Sequence, residues 1–348
     1  MSEMFALLIT MREHHASDLH LSVGASPMLR IHGELQATDM GPLTPDTARA
    51  LIEQVMTPEQ RKRWHAEYEL DFSYELSDVA RFRVNAFLQR QGPAAVFRQI
   101  PFEIKTVSEL ELPDPIVKFA DAKQGLFLVT GATGSGKSTT LAALIDYINT
   151  KRRDHIVTIE DPIEFVHHNK GCLVNQREVG VHTKSFANAL RSALREDPNV
   201  ILVGELRDLE TIELALTAAE TGHLVMATLH TNSAADSIDR IINVFPTNQQ
   251  PQIRQVLSNA LIGIVAQNLL RRSDKPGRVA ATEILIMTTG IANLIREGKS
   301  FQIHSVLQTS RKDGMQSMDQ SLQDLLAQHK ISRDEALIYA REPQLFPA

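Results

Sequence analysis

Hydrophobic residues recur with two different rhythms along the chain. From residue 127 onward, short apolar runs such as LFLVT, HIVTIE, VILVG and LVMATLH alternate with helical stretches. Apolar runs that are separated by helices are typical of a parallel sheet covered on both faces. After Pro246 the pattern indicates mainly helices, with one further apolar stretch, RVAATEILIM. We therefore expect an α/β domain in this part of the chain.

The first hundred residues show shorter patterns without a βαβ rhythm. SDLHLSVG and PMLRIHGEL predict a hairpin that turns at residues 24–27, and ARFRVNAFLQ and PAAVFRQI predict another that turns at residues 90–92. Thr-Pro pairs predict that two helices begin at Thr44 and Thr57. The stretch MSEMFALLITMREHH indicates an amphipathic helix. These elements predict a smaller α+β domain with an antiparallel sheet.

A proline-rich segment, PFEIKTVSELELPDP, separates the two patterns. It contains three prolines and has no sustained period, so it predicts an interdomain linker. A chain of 348 residues is long enough for two domains. The predicted organisation is an N-terminal domain over residues 1–100, a linker over residues 101–116, and a larger domain with a helical C-terminal region over residues 117–348.

Composition narrows the class of protein. Hydrophobic residues make up 43% and charged residues 22%, as in soluble globular proteins, and the net charge of -6 argues against binding to a nucleic-acid backbone. The start of the chain lacks the features of a secretory signal, and the apolar run VLSNALIGIVAQNLL is interrupted by polar residues. The single cysteine, Cys172, excludes an intrachain disulfide and a cysteine-rich zinc site. Together these features predict a cytoplasmic protein.

The segment GATGSGKS carries the most specific chemistry. It satisfies the pattern G-x-x-x-x-G-K-[ST] between a predicted strand and a predicted helix, which is the context of a phosphate-binding loop. Its backbone N–H groups and the helix N-terminus are expected to hold the phosphates of a nucleoside triphosphate. Lys137 is expected to reach the β- and γ-phosphates, and Ser138 to coordinate Mg²⁺. The predicted nucleotide-binding residues are Thr133, Gly134, Ser135, Gly136, Lys137, Ser138 and Thr139.

Acidic residues and a histidine follow three of the predicted strands. HIVTIE ends in Glu160, with Glu164 shortly after it, VILVG is followed by Glu205, and LVMATLH ends in His230. Ligands of an open parallel sheet bind beyond the carboxyl ends of the strands. We therefore expect these side chains at the same edge as Lys137.

Hydrolysis needs one carboxylate to orient or deprotonate water and a second acidic group for hydrated Mg²⁺. We favour Glu205 on the magnesium side and Glu164 as the base. Gly204 stands where many enzymes with this loop place a magnesium-binding Asp, so the assignment stays open. The alternative for the glutamates is helix capping, and for His230 an ordinary hydrogen-bonded histidine at a strand end. Other histidines, including His167, are expected at the surface.

Arginines in the first domain form a pattern of their own. If the hairpin turn is centred on Arg90 and Gln91, Arg83 falls directly opposite Arg98. Like charges at facing positions destabilise a sheet, so an anion such as a γ-phosphate is expected between them, and a solvated cationic face is the alternative. Because the phosphate-binding loop lies in the other domain, the arginines predict a head-to-tail ring in which each site is completed by its neighbour.

The motifs also resemble those of a known family. GATGSGKSTTLAAL, TIEDPIEF, LIRE and the long segment from ILVGELRD to RIINVFP are similar to the twitching-motility ATPases of type IV pili, the PilT family of secretion ATPases. In that family IEDPIEF is the aspartate box, VGELRD the Walker B region and TGHLVMATLH the histidine box, with His223 and His230. Glu164 matches the family's catalytic glutamate, and Arg83 and Arg98 match its arginine fingers.

The resemblance implies an architecture and a function. It implies a PAS-like N-terminal domain and a RecA-like P-loop NTPase domain in a homohexameric ring at the cytoplasmic base of the pilus machine. The ring is expected to use ATP and Mg²⁺ to power pilus retraction at the inner face of the cytoplasmic membrane. The implied partners are other copies of the chain, the inner-membrane platform of the pilus machinery and a paralogous retraction ATPase.

Two features distinguish members of the family. Assembly and type II secretion ATPases usually carry an extra N-terminal region and a four-cysteine metal element, which this chain lacks. The retraction motif Ala-Ile-Arg-Asn-Leu-Ile-Arg-Glu reads GIANLIRE here, with Gly290 and Ala292 as departures. The first feature argues against a pilus-assembly or secretion ATPase, which is kept as an alternative, and the altered motif leaves an accessory ATPase of the PilU type as another. A RecA-like nucleic-acid translocase and a nucleotide-dependent scaffold with little turnover are alternatives from other classes.

Overall fold

A computed structural model describes residues 3–31, 33–76, 80–100 and 104–346. The chain divides into two compact units, residues 1–103 and 104–348. Of the predicted linker, residues 101–103 lie outside the described residues, whereas residues 104–116 belong to the second unit. Leu112 is buried there, and the Glu111 carboxylate contacts Arg272 and Lys330. The predicted linker therefore does not extend over residues 104–116, because these contacts tie them to the second unit.

The first unit contains a six-stranded antiparallel sheet in the order β3-β2-β1-β6-β5-β4. Three helices accompany it, and the apolar residues of α1 and α2 share one buried cluster with the sheet. The elements are α1 (Glu3–Glu13), β1 (Asp18–Ser22), β2 (Met28–Ile31), β3 (Glu34–Ala37), α2 (Pro45–Glu53), α3 (Pro58–Glu67), β4 (Glu69–Leu76), β5 (Ala80–Gln89) and β6 (Gly92–Ile100).

The helix caps and hairpins that the sequence predicts for this unit are present in the structure. The side chains of Thr44 and Thr57 cap α2 and α3, and Thr57 forms a reciprocal capping box with Gln60. β1 pairs with β2, and β5 pairs with β6, as the two hairpins require. The second hairpin has the predicted register, with Arg83 directly opposite Arg98.

The second unit contains a seven-stranded sheet in the order β13-β12-β7-β11-β10-β8-β9. Its strands run parallel except β13, which is antiparallel to β12. The elements up to the middle of the unit are α4 (Asp114–Phe119), β7 (Gly125–Thr130), α5 (Lys137–Lys151), β8 (His155–Glu160), β9 (Leu173–Glu178), α6 (Phe186–Ala193), β10 (Val200–Val203), α7 (Leu209–Glu220), β11 (Leu224–Leu229) and α8 (Ala234–Asn243). They are followed by α9 (Gln250–Ala260), β12 (Leu261–Arg271), β13 (Arg278–Ile286), α10 (Thr289–Arg296), α11 (Ile303–Thr309), α12 (Met318–Ala327) and α13 (Arg333–Tyr339).

The central strand β7 explains where the phosphate-binding loop emerges. Leu126 and Leu128 belong to the apolar cluster shared with α7 and α8, whereas Phe127 and Val129 belong to the cluster shared with α5. Helices therefore cover both faces of the sheet, and the loop after β7 lies at its carboxyl edge. No helix among the described residues has the length and apolar character that spanning a bilayer requires.

Helices α9 to α13 lie after Pro246, and among them lies a long strand that the sequence pattern did not indicate. Residues Leu261–Arg271 form β12, which pairs with β7 on one side and β13 on the other. A continuous apolar run does not distinguish a buried strand from a buried helix by periodicity. Gly263 makes the strand fit, because a Cβ there would lie 2.2 Å from the Phe119 ring.

Candidate functional site

Glycines shape residues 131–138, which connect β7 to the first turn of α5 and which we call the phosphate loop. Gly134 and Gly136 have φ angles of 81° and 88°, in the left-handed region that favours glycine. A Cβ on Gly131 would lie 2.3 Å from the carbonyl oxygen of Gln267, and one on Gly136 would lie 2.8 Å from the Gln267 Nε2. The loop backbone therefore packs so closely against β12 that a side chain would displace it.

Lys137 points into the phosphate loop. Its side chain is buried, and Nζ donates hydrogen bonds to the carbonyl oxygens of Gly131 at 2.8 Å and Ala132 at 2.9 Å. Burial lowers the pKa of the ammonium group, and the negative charges of Glu205 and Glu164 oppose that shift. Both carboxylates are thus close enough to act on the Lys137 charge.

The other residues predicted to bind phosphate lie at different depths. Thr133 and Gly134 are exposed, and Ser138 and Thr139 are half-buried at the start of α5. Ser135 is buried, and its hydroxyl has no hydrogen-bond partner among the described residues. A buried hydroxyl without a partner costs free energy, so the Ser135 side chain is suited to donate to a phosphate oxygen.

Glu205 lies beyond the carboxyl end of β10 and contacts two basic side chains. Its Oε2 is 2.7 Å from Nη2 of Arg207, and its Oε1 is 3.3 Å from Nε2 of His230. β10 and β11 are neighbours in the sheet, so their ends bring Glu205 and His230 together. The Glu205 side chain is 19% exposed, which leaves it open to a ligand at this edge.

Sequence reasoning missed Arg207. Leu206, between Glu205 and Arg207, is buried and donates its N–H to the Thr228 carbonyl oxygen at 3.1 Å. Its two neighbours therefore point to the opposite side, towards the site. In the sequence, a leucine stands between two charged residues. This alternation of charged and apolar residues was the signal that would have identified Arg207.

Glu164 is the exposed carboxylate of the site. It follows the cis peptide bond between Asp161 and Pro162, and its side chain forms no hydrogen bond or ion pair within the described ranges. The Glu164 backbone N–H lowers the pKa of the Glu160 carboxyl at the end of β8, so the two groups are close. The segment after β8 presents the Glu164 side chain to solvent.

Glu160 is a half-buried acid that the sequence indicated only as a strand end. Thr158 Oγ1 donates to its Oε1 at 2.6 Å and Gln176 Nε2 donates at 3.1 Å. Burial raises the pKa of the Glu160 carboxyl to about 6, although these hydrogen bonds oppose the shift. The group thus titrates near neutral pH beside the site.

A small cavity of about 30 Å³ lies under the start of α5. Ser138, Glu160, His167 and Thr228 are among its lining residues. Contrary to the prediction of a surface residue, His167 is 8% exposed, because its ring packs into this cavity. Burial lowers the pKa of the His167 imidazole to about 4, so the ring is neutral at pH 7.

The predicted arginine pair lies in the first unit, on the outward face of the sheet. Arg98 Nε donates to Asp18 Oδ1 at 2.8 Å, and Asp18 is also 3.9 Å from Arg30 Nε. In the register Asp18 stands opposite both Arg98 and Arg30, so an internal carboxylate lies beside Arg98. The Arg98 side chain stays 69% exposed and Arg83 is also exposed. Both can therefore meet a further anion.

Comparison with known proteins identifies the family. The family described as type II/IV secretion system protein matches residues 6–337, which is most of the chain. The chain belongs to this family. The α/β fold class is confirmed, with the addition that the sheet is mixed because of β13.

Several curated members of the secretion family are similar over nearly their full length. The type IV pilus retractation ATPase PilT of Pseudomonas aeruginosa is 52% identical over 340 residues, covering 98% of each chain. The twitching motility protein of Neisseria gonorrhoeae is 55% identical and covers 89% of this chain and 83% of its own. The type IV pilus ATPase PilU of Pseudomonas aeruginosa is 42% identical and covers 97% and 88%.

Solved structures of secretion ATPases have the same fold. The pilus retraction motor PilT with bound ADP matches with a TM-score of 0.92 and 48% identity, covering 99% of this chain and 98% of that chain. The ATPase DotB of Legionella pneumophila matches with a TM-score of 0.81 and 29% identity, covering 96% and 94%. The resemblance to the PilT family that the motifs indicated is thereby confirmed.

The histidine box of this secretion-family chain is split between the two edges of the sheet. His230 follows β11 at the carboxyl edge, whereas His223 precedes the strand at the opposite edge. Six residues of strand span about 20 Å. His223 Nδ1 lies 2.9 Å from the Ala218 carbonyl oxygen near the end of α7. Within one chain, therefore, only His230 joins Glu205.

The altered retraction motif forms α10. Gly290 is exposed in its first turn, with only Thr288 Oγ1 at 3.8 Å from a Cβ position. Ala292 is buried, 6% exposed. Arg296 Nε donates to Ser258 Oγ at 3.0 Å, which fixes the end of α10 against α9. The two departures from the motif thus lie on different faces of one helix.

Proposed function

We propose that the chain is the motor ATPase of type IV pilus retraction, which hydrolyses ATP to drive pilus disassembly. The observation that carries the proposal is the grouping of Lys137, Glu164 and Glu205 at the carboxyl edge of the sheet, where both carboxylates act on the lysine charge. The similarity to PilT over 98% of the chain supports pilus retraction as the work that hydrolysis drives.

Binding begins at the phosphate loop. Its N–H groups and the N-terminus of α5 attract the phosphates of ATP. Lys137 exchanges its hydrogen bonds to the Gly131 and Ala132 carbonyl oxygens for bonds to the β- and γ-phosphates. The buried Ser135 hydroxyl gains an acceptor in the same step.

The oxygen atoms of the side chains beside the phosphate loop are suitable ligands for Mg²⁺. Within the described ranges no group of three or more His, Cys, Asp and Glu side chains is placed to hold a metal ion. Mg²⁺ is usually held by one or two protein oxygens together with substrate phosphates and water, so an all-protein cage is not needed. Ser138 and Glu205 would supply those oxygens. When bound, the ion neutralises charge on the β- and γ-phosphates.

We assign the water-activating role to Glu164. Both oxygens of Glu205 already contact basic groups, Arg207 and His230. Glu164 is exposed and its carboxylate has no such contact with the described residues. It is therefore the carboxylate that is free to accept a proton from the attacking water.

Arg83 and Arg98 complete the site of a neighbouring copy. They are exposed cations on the first unit, whereas the phosphate loop belongs to the second unit. Arginines supplied from a neighbouring subunit stabilise charge on a transferring phosphoryl group. A homohexameric ring at the cytoplasmic base of the pilus, docked on the inner-membrane platform, uses them in this way.

A second candidate, an accessory retraction ATPase of the PilU type, is favoured by one observation. The motif on α10 carries Gly290 and Ala292 where the retraction motif has Ala and Arg. A PilU protein is also similar over 97% of the chain, at 42% identity. An accessory motor would share ATP hydrolysis but depend on a paralogue for movement.

The test replaces Lys137 with Ala in the chromosomal copy, followed by counts of surface pili and a twitching assay. Abundant pili with no twitching is the result expected of a retraction motor. Unchanged pili and movement would favour the accessory role, and loss of pili would contradict retraction and indicate assembly. Immunoblotting must show that the variant accumulates at the normal level.

A further inference from the structure

The Gln267 side chain, on β12, contacts the phosphate loop from below. It is 2% exposed. Its Nε2 donates to the carbonyl oxygen of Ser135 at 2.7 Å, and its Oε1 accepts from Thr140 Oγ1 at 2.9 Å. The two ends of one amide thus connect the loop to the first turns of α5.

The orientation of the amide follows from its partners. The Ser135 carbonyl oxygen can only accept a hydrogen bond, so the NH₂ end of Gln267 must face it. The oxygen end then faces Thr140, whose hydroxyl can donate. A buried carbonyl oxygen that loses its hydrogen-bond donor is destabilising, so this contact stabilises one conformation of the loop.

The backbone of β12 restricts the same loop. The Gln267 carbonyl oxygen would lie 2.3 Å from a Cβ on Gly131, and Leu269 Cδ1 lies 3.9 Å from the Cβ position of Gly136. Gln267 and Leu269 are two residues apart on β12, so they share the face towards the loop. The two ends of the loop, at Gly131 and at Ser135–Gly136, therefore pack against β12.

We propose that Gln267 is a positioning residue for the phosphate loop, which it holds in the shape that binds the β-phosphate of the nucleotide. The inference rests on the proposed function in one respect, that this loop binds ATP and ADP. Binding is strongest when donors are already aligned before the ligand arrives. Without the Gln267 amide, the Ser135 carbonyl oxygen loses its hydrogen-bond donor on β12. The neighbouring backbone N–H groups of the phosphate loop are then no longer held in alignment for the phosphate.

The test compares two substitutions on one strand. Gln267→Met keeps the length of the side chain and removes both hydrogen bonds. Asn268→Leu is the matched control, because Asn268 points to the other face, where its Nδ2 lies 3.9 Å from Met318 Sδ. ADP affinity is measured by titration calorimetry with Mg²⁺ present. We expect the dissociation constant to rise at least tenfold for Gln267→Met and to stay within twofold for Asn268→Leu.

Two further measurements separate positioning from general stability. The KM for ATP should rise together with the ADP dissociation constant while kcat changes less, because the loop binds ground state and transition state alike. Amide hydrogen exchange of residues 131–138 should be faster in Gln267→Met and unchanged in Asn268→Leu. Unchanged ADP affinity, or unchanged exchange in the loop, would overturn the proposal.

Thr140 supplies a second pair of variants if Gln267→Met does not fold. Thr140→Val removes the donor that fixes the Gln267 oxygen and should weaken ADP binding, whereas Thr140→Ser keeps a hydroxyl and should restore it. Equal affinities for these two variants would contradict the proposal. A wild-type protein that fails to bind ADP would instead overturn the proposed function, and the exchange measurement would still test the role of Gln267.

Discussion

At the scale of single residues, the chemistry of the site depends on which groups hold the carboxylates. Glu205 contacts Arg207 and His230, whereas the Glu164 side chain faces solvent. The two glutamates are therefore not equivalent, although the sequence presents both as acids after strands. Substitutions of their neighbours should affect catalysis and stability differently.

Replacing Arg207 with Gln tests its contact with Glu205. The pair is partly exposed, so its loss should change the free energy of unfolding by less than about 1 kcal/mol. The Glu205 carboxylate would lose an orienting partner, and we expect kcat to fall roughly three- to tenfold while the melting temperature stays nearly constant. Arg191→Gln is the matched control, because Arg191 pairs with Glu210 on α7. Equal rates for both variants would show that Arg207 does not orient Glu205.

The sequence placed Lys137, Glu205 and His230 correctly at one sheet edge, because that edge follows from strand ends alone. It did not reveal Gln267, since a glutamine in an apolar run has no motif and its partners, Ser135 and Thr140, lie more than a hundred residues away. Burial of His167 was missed for the same reason. Contacts between distant segments are decided by packing, which a single sequence does not encode locally.

At the scale of elements, strongly periodic segments were predictable and ambiguous ones were not. Thr-Pro pairs predicted the starts of α2 and α3, and the position of the hairpin turn predicted the register of β5 and β6. The strand β12 was not predicted, because periodicity does not distinguish a buried apolar strand from a buried helix. β3 was missed because it is short and exposed throughout.

A substitution of Gly263 tests whether the close contact between β12 and α4 requires a residue without a side chain. Gly263→Ala should lower the free energy of unfolding by about 1–3 kcal/mol, because a Cβ there would lie 2.2 Å from the Phe119 ring. Gly290→Ala is the control: its site has open space in a helix, so we expect a gain of up to about 1 kcal/mol. Urea unfolding of both variants measures the difference. A neutral Gly263→Ala would mean that the Phe119 ring moves aside freely.

The ion pairs of Glu111, in the segment before α4, predict that the stability of the folded protein depends on pH. Lys330 and Arg272 lower the pKa of the Glu111 carboxyl to about 2, from a model-compound value of 4.5. Because the folded-state pKa is depressed, the stabilisation is complete above pH 4.5 and is lost as the pH falls towards 2. Allowing for solvent screening, it amounts to about 1–2 kcal/mol.

Glu111→Gln should therefore lower the melting temperature by a constant amount between pH 6 and 8, and the difference from wild type should shrink below about pH 4.5. Differential scanning calorimetry across this range measures it. Glu109→Gln is a control, because among the described residues the Glu109 carboxylate accepts hydrogen bonds from Thr106, within its own turn. A difference that grows in acid would contradict the assigned sign.

At the scale of the whole molecule, the arginines and the phosphate loop belong to different units of the chain. If each site takes Arg83 and Arg98 from a neighbour, two inactive variants should complement one another. Lys137→Ala retains the arginines, and Arg98→Ala retains the phosphate loop. Mixing them should produce mixed rings with ATPase activity well above that of either variant alone.

The mixing experiment has a direct control. Lys137→Ala mixed with Glu164→Ala should show no recovery, because both substitutions disable the second unit. Activity in the first mixture that equals the sum of its parts would mean that the arginines serve their own chain or no site at all. Size-exclusion chromatography with light scattering must show that mixed assemblies of the expected mass are present.

The central claim is that Glu164 activates water for ATP hydrolysis in a site that binds nucleotide through the phosphate loop. Its most direct test is the ATPase rate of Glu164→Gln, measured together with its affinity for ADP. We expect kcat to fall at least a hundredfold while the ADP dissociation constant stays within about threefold of wild type. A Glu164→Gln variant that hydrolyses ATP at the wild-type rate would contradict the account.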